Sequence, residues 1–314
     1  MSHYDIEKIS NELEHLRSYI PREFVRKPRS LKYVKLWKAT EHRQLLLYTG
    51  PIVLKSVLSK DAYKHFLSLH VAIRILCNED TKNAYAEYAQ TLLKHFVKSF
   101  IKLYGKHHIL HNVHGLIHLV EDVKSFGILD NFSAFKFENF MQILKRYVRK
   151  NDKPLQQLFR RYHEAHVTTE KRSISKKLYP IKVTRHYDDL LLPLTSNPQY
   201  IAAECTYFKL NAKNIANNCC GLKDNTILIM INIAHSTETG ELMILGYEFK
   251  CKQNFYNVPC ESSALRIYKI SKKSNLKMWP LSAVNVKYVK FPCGNDEFIV
   301  VPLLHSEIVE GAEF

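Results

Sequence analysis

Apolar positions along this chain follow two rhythms. Up to about residue 168 they recur every three to four residues, the spacing of one helix face. Ile6, Ile9, Leu13 and Leu16 mark a short helix over 5–19. Ser59 stands where its hydroxyl can accept from a first-turn amide, capping a helix from Lys60 to about Cys77. Tyr85, Tyr88, Ala89, Leu92, Phe96, Phe100 and Leu103 predict a core stripe on a second helix, from about Lys82 to Tyr104, ended by Gly105. A further helix is predicted over 113–125, stopped near Gly127. After the turn "LDNFSAF", with caps available at Asn131 and Ser133, another runs to about Lys150. Its predicted buried face is Phe137, Phe140, Met141, Leu144 and Val148; Glu138, Gln142, Lys145 and Arg149 share a polar face. Pro154 fits the first turn of the next helix.

Beyond about residue 200 the period drops to two. "TILIMINIA", "ELMILGYEF", "LRIYKIS", "AVNVKYVK" and "EFIVVPLL" read as strands, with "HSTETG" and "CGND" as turns. The expected fold class is α+β: a mainly helical N-terminal two-thirds followed by a small antiparallel β-barrel-like domain. The expected division is an N-terminal helix and basic extended segment over 1–38, a helical domain over 39–168, and a basic linker over 169–200. A β domain over 201–306 and a tail over 307–314 follow.

The stretch "IPREFVRKPRSLKYVKLWK" fits neither rhythm, since Pro21 and Pro28 break it. Phe24, Tyr33 and Trp37 alternate there with Arg22, Arg26, Lys27, Arg29, Lys32 and Lys35. Such interleaving serves stacking and phosphate contact in some proteins. More commonly the aromatics anchor an irregular segment to a core, and that reading is favoured.

Charge sharpens the division. The net formal charge is +16, and residues 1–200 carry 34 Lys+Arg against 19 Asp+Glu, while 201–314 carry 12 against 11. Residues 136–187 are densest, with 14 against 4. A basic first part points to a polyanion such as DNA as partner. Seven cysteines, an odd number at irregular spacing, fit reduced thiols inside the cell. No apolar stretch approaches membrane-spanning length, and the first residues, "MSHYDIEKIS", carry charge where a signal sequence is apolar. The expectation is a chain that is not secreted and not in a membrane.

Two histidines, His114 and His118, stand four apart, and Glu138 follows twenty residues later. On a helix such a pair faces one way and can share a metal ion. Zinc takes four ligands, and the chain has no Cys-x-x-Cys: Cys219 and Cys220 are adjacent, and Cys251 and Cys260 are nine apart. Spacing alone therefore favours two hydrogen-bonded histidines. A single glutamate does not hold two divalent ions.

The combination is more specific than its parts. "VHGLIHLVEDVKSFG" followed by "FSAFKFENFMQILKRYVR" resembles the C-terminal region of DDE transposases of the CACTA (En/Spm) group. "IPREFVRKPRSLKYVKLWKATEHRQLLLYTGP" and "FLSLHVAIRIL" are similar to animal relatives, so the resemblance covers roughly residues 15–165. It implies a structural zinc role for His114 and His118, and for Glu138 a match to the third acid of the DDE triad. The aspartates and the Cys-x-x-Cys that complete such sites lie upstream of the matched region; Asp5, Asp61 and Asp80 sit at helix ends or turns. Zinc is thus implied without its cysteine pair, and Mg²⁺ only together with an upstream catalytic region.

Three readings follow. The chain is a catalytically incomplete transposase derivative, nuclear or cytoplasmic with the nucleus favoured, that keeps DNA-backbone contacts through Lys145, Arg146, Arg149, Lys150, Arg160 and Arg161. Or it is a protein-interaction module, with its β domain as the grip. Or it is a truncated reading of an active Mg²⁺-dependent transposase.

Overall fold

The computed structural model describes residues 2–170, 182–186, 191–205 and 207–304, and their side chains except those of 136–139, 142 and 165–170. Helix α1 (His3–His15) opens with a capping box: the Ser2 hydroxyl accepts from the Asp5 amide, and the Asp5 carboxylate accepts from the Ser2 amide at 2.8 Å. Ile9, Leu13 and Leu16 are buried and Ile6 faces out, so the predicted stripe holds on three of its four positions.

The proline-broken segment after α1 is fastened to the body. Phe24 packs edge-on against Tyr48 with centroids 4.8 Å apart, and Trp37 is buried. Lys27 Nζ donates to the carbonyls of Arg17 and Ile20, and Arg29 makes a bidentate pair with Glu41. Phe24, Trp37, Lys27 and Arg29 thus anchor the stretch, as in the favoured reading, while Tyr33, Arg22, Arg26, Lys32 and Lys35 are exposed.

Helices α2 (Ala39–Gln44) and α3 (Gly50–Val53) are joined through a π-helical turn, Leu45–Thr49. The cause is local. Pro51 has no N–H to offer Leu46 or Leu47, so the ordinary ladder fails there. Helix α4 (Lys60–Leu76), capped by Ser59 as predicted, repairs the defect: His70 Nδ1 meets the Leu46 carbonyl at 2.7 Å and Arg74 Nη1 donates to that of Leu47 at 2.9 Å. Gly50 is required at this turn, because a Cβ would come within 2.4 Å of the Leu45 oxygen.

Helix α5 (Glu79–Tyr104) packs along α4, bends at Tyr85 and stops at Gly105, whose φ is +94°. Ala89, Leu92 and Phe96 of its predicted stripe are buried, while Tyr85 and Leu103 at the ends are exposed. The single helix expected over 113–125 is instead α6 (His111–His114), a 3₁₀ turn over Gly115–His118, and α7 (Leu119–Phe126). Helices α8 (Ala134–Tyr147) and α9 (Pro154–Glu170) follow, and α8 packs chiefly on α9.

The antiparallel sheet has ten strands among the described residues. They are β1 (Lys182–His186), β2 (Thr195–Glu204), β3 (Lys209–Asn211), β4 (Cys219–Leu222), β5 (Ile227–Ser236), β6 (Leu242–Asn254), β7 (Tyr268–Lys273), β8 (Lys277–Pro280), β9 (Val284–Gly294) and β10 (Glu297–Pro302). Six of them close a hydrogen-bonded circuit, β5-β4-β9-β10-β7-β6 and back to β5. The long strands β6 and β9 make the corners: β6 pairs with β5 and β8 along its first half and with β7 along its second, and β9 with β4 and then β10. All six contribute to one cluster formed by Cys219, Ile227, Ile229, Phe249, Ile270, Val286, Tyr288 and Val300. The α+β class holds. Strands begin earlier than the period-two signal, at Lys182, because β1 is an exposed edge strand with no buried face to print an alternation.

Helices and sheet share one hydrophobic cluster. Buried cations stitch the seam. Arg74 Nη2 donates to the Pro302 carbonyl at 3.0 Å and the guanidinium stacks on Tyr48. Lys287, wholly buried on β9, donates to both Glu23 carboxylate oxygens at 2.8 and 2.9 Å, to the Lys209 carbonyl at 2.7 Å and to Asn217 Oδ1 at 2.5 Å.

Candidate nucleic-acid interface

Of the densest basic stretch, 136–187, residues up to 170 belong to the α8–α9 hairpin and 182–186 to β1, while 171–181 and 187 lie outside the described residues. Ser133 caps α8 by accepting from the Phe135 amide, and the helix ends at Tyr147, three residues before the predicted Lys150. The turn to α9 is organised by one side chain. Gln157 Oε1 accepts from the amides of Arg149 and Lys150 at 3.1 and 3.3 Å, and Gln157 Nε2 donates to the carbonyls of Lys150 and Asp152. Arg161 donates to the Tyr147 carbonyl, and Phe140 meets Tyr162 edge-on at 6.3 Å.

The six expected backbone-contact residues lie on this one element but differ in state. Lys145, Arg146, Arg149 and Lys150 are exposed, and among the described residues none of their side chains is drawn into an ion pair. Arg160 pairs with Glu164 one turn on, at 3.3 Å, and Arg161 is half-buried and held by Tyr147. So four cations stand at the hairpin's turn without an ion pair among the described residues, Arg161 helps to tie α9 to α8, and Arg160 makes a surface pair within α9.

The hairpin is lightly rooted. Its base lies over two hollows of about 410 and 420 Å³ that share Arg43, Ser133 and Phe135. Arg43 is locked to Asp130 in a bidentate pair, which raises its pKa against the opposing effect of burial. The predicted buried face of α8 is corrected here: Phe140 and Met141 are 41% and 54% exposed, and Leu144 and Val148 only half-buried. The side chain of Phe137, the remaining member of that face, lies outside the described residues; among the described residues α8 packs chiefly on α9, and an amphipathic stripe marks only a face that can be covered. Sequence reasoning also missed α9's outer face, where Leu155 and Phe159 are 80% and 72% exposed. Their spacing reads as an ordinary core stripe, so only the structure reveals them as surface.

His114 and His118 stand on separate short elements, both exposed, with ring centroids 5.6 Å apart and planes at 74°. Were zinc to bind here, the pair would supply two of the four ligands it takes. Among the described residues no group of three or more His, Cys, Asp or Glu is placed to hold a metal ion, so the pair alone does not fit a closed zinc site. Glu138 lies within α8, and its side chain is outside the described residues. No helix among the described residues is long and apolar enough to cross a membrane.

A family model described as a domain of unknown function (DUF8592) matches residues 185–303, from the end of β1 to just past β10. The α8–α9 hairpin lies outside that match. No curated protein matches the chain. No solved structure matches it either.

Proposed function

We propose that this chain binds the nucleic-acid backbone through the turn of the α8–α9 hairpin, as a derivative of a CACTA-like DDE transposase. One observation carries the reading: Lys145, Arg146, Arg149 and Lys150 are exposed, clustered and unneutralised, on a chain of net charge +16. Cations so placed neutralise phosphates and release condensed counterions, whatever the base sequence. The resemblance of residues 15–165 adds a reason for DNA as the polyanion. It also assigns Glu138 as the counterpart of a catalytic acid, but one carboxylate does not hold the two metal ions of strand transfer. The proposed activity is therefore binding.

Fluorescence anisotropy with a labelled duplex tests it. Four phosphate contacts give a slope near −3.6 in log affinity against log salt, so affinity falls about 10²-fold between about 50 and about 200 mM salt. Absence of binding at the lower salt sinks the proposal. It would favour the competing reading, a protein-docking module, for which the exposed Phe140, Met141 and Ile143 of the same hairpin speak.

A further inference from the structure

The cations of the hairpin turn do not stand alone. Leu155, Phe159 and His163 follow one another at four-residue intervals on α9 and so share a face. Phe159 is 72% exposed, and its ring lies 6.4 Å from that of His163 at 39°. Leu155 is 80% exposed. Gln157, on the other side of the same first turns of α9, holds the backbone of Arg149 and Lys150 within 3.3 Å of its amide. The turn that carries the cations therefore stands at the N-terminal end of α9, where Leu155 begins the bare stripe.

Cations by themselves suffice for a duplex, whose phosphates are outside and whose bases are stacked within. A bare phenyl ring beside them has further use where base faces are accessible, as on a single strand. The rise of about 1.5 Å per residue sets Phe159 and His163 about 6 Å apart along the helix, a step that a strand with opened bases can follow.

We infer that the α8–α9 hairpin takes single-stranded nucleic acid, with Phe159 stacking on a base while Lys145, Arg146, Arg149 and Lys150 track the phosphates. This rests on the backbone-binding proposal and narrows its ligand. DNA and RNA share the chemistry, and the test separates them.

Anisotropy of the full chain is measured with oligo-dT and oligo-U of about 15 nucleotides and with a duplex of similar length. The expected result is tighter binding to a single strand than to duplex. Phe159→Ala then weakens single-strand binding about tenfold or more, leaves duplex binding unchanged, and is rescued by Phe159→Trp. Tighter binding of oligo-U or of oligo-dT names RNA or DNA as the source, and either supports the inference. Equal affinity for duplex and single strand, or a Phe159→Ala effect that is absent or equal on both, overturns it and leaves the backbone proposal standing. Failure of every probe to bind at about 50 mM salt overturns both. A dimer that Phe159→Ala dissolves, with nucleic-acid affinity unchanged, assigns the stripe to a second copy of the chain and also overturns the inference. Because Phe159 is exposed, the variant's urea midpoint should match that of the parent, which separates loss of stacking from loss of fold.

Discussion

In the body of the molecule, Arg74 and Lys287 are buried and each meets oxygen partners: two carbonyls for Arg74, and a carboxylate, a carbonyl and an amide for Lys287. In the α8–α9 hairpin, Lys145, Arg146, Arg149 and Lys150 stand in water without an ion pair among the described residues, and Phe159 is bare. The two regions use the same residue types in opposite ways. Inside, a cation fixes where helices meet sheet, since burying its charge is tolerable only when oxygen acceptors meet it. Outside, unmatched charge and uncovered ring contribute nothing to the fold that the contacts reveal, and are available to a partner.

Substitution should separate the regions sharply. The largest effect is expected at Lys287. Lys287→Ala strands the Glu23 carboxylate, only 10% exposed, and should destabilise the chain by about 3–5 kcal/mol, read from the urea midpoint. The double change Lys287→Met with Glu23→Leu should recover most of that loss, because it removes both charges. A single variant as stable as the parent would break the contrast at its strongest point.

Next comes His70. Burial, helped by the nearby Arg74, pushes its pKa down to about 3 from the ordinary 6.5. In the unfolded chain it takes a proton below about pH 6.5, whereas folded it stays neutral down to about 3. Over that window the unfolded state binds more protons, so stability falls as pH falls, by up to about 1.4 kcal/mol per pH unit from this group. His70→Asn should flatten that limb in urea titrations from pH 7 to pH 4. Parallel limbs in the two proteins would place the titrating group elsewhere.

The smallest effect belongs to the hairpin. Leu155→Ser or Phe159→Ser should change stability by no more than about 0.5 kcal/mol, since neither side chain is covered. A drop of about 2 kcal/mol or more would mean that the stripe is a core face after all.

How much of this was readable beforehand depends on what each residue's pattern reports. The strands β5, β6, β7, β9 and β10 were legible because each is a short apolar, β-branched run bounded by turn residues, and Ser59, Gly105 and the "CGND" turn because their chemistry is local. The edge strand β1 and the glycine-bearing β4 carry little such signal. The π turn at Leu45–Thr49 follows from Pro51, yet its repair by His70 and Arg74 joins residues 24 and 27 positions apart and could not be seen locally. At the candidate site the cluster of cations was visible in composition. Their division into four bare and two engaged was not, nor was the exposure of Phe159, because periodicity shows which residues share a face and not what covers it.

The most direct test of the central claim compares the full chain with Lys145→Ala, Arg146→Ala, Arg149→Ala and Lys150→Ala combined, measuring duplex and single-strand affinity across a salt series. Expected are an unchanged urea midpoint and a log affinity–log salt slope shallower by about 3.6 on duplex and about 2.8 on single strand, the loss of four phosphate contacts. An unchanged slope in a folded variant would contradict it and place any nucleic-acid contact outside the hairpin.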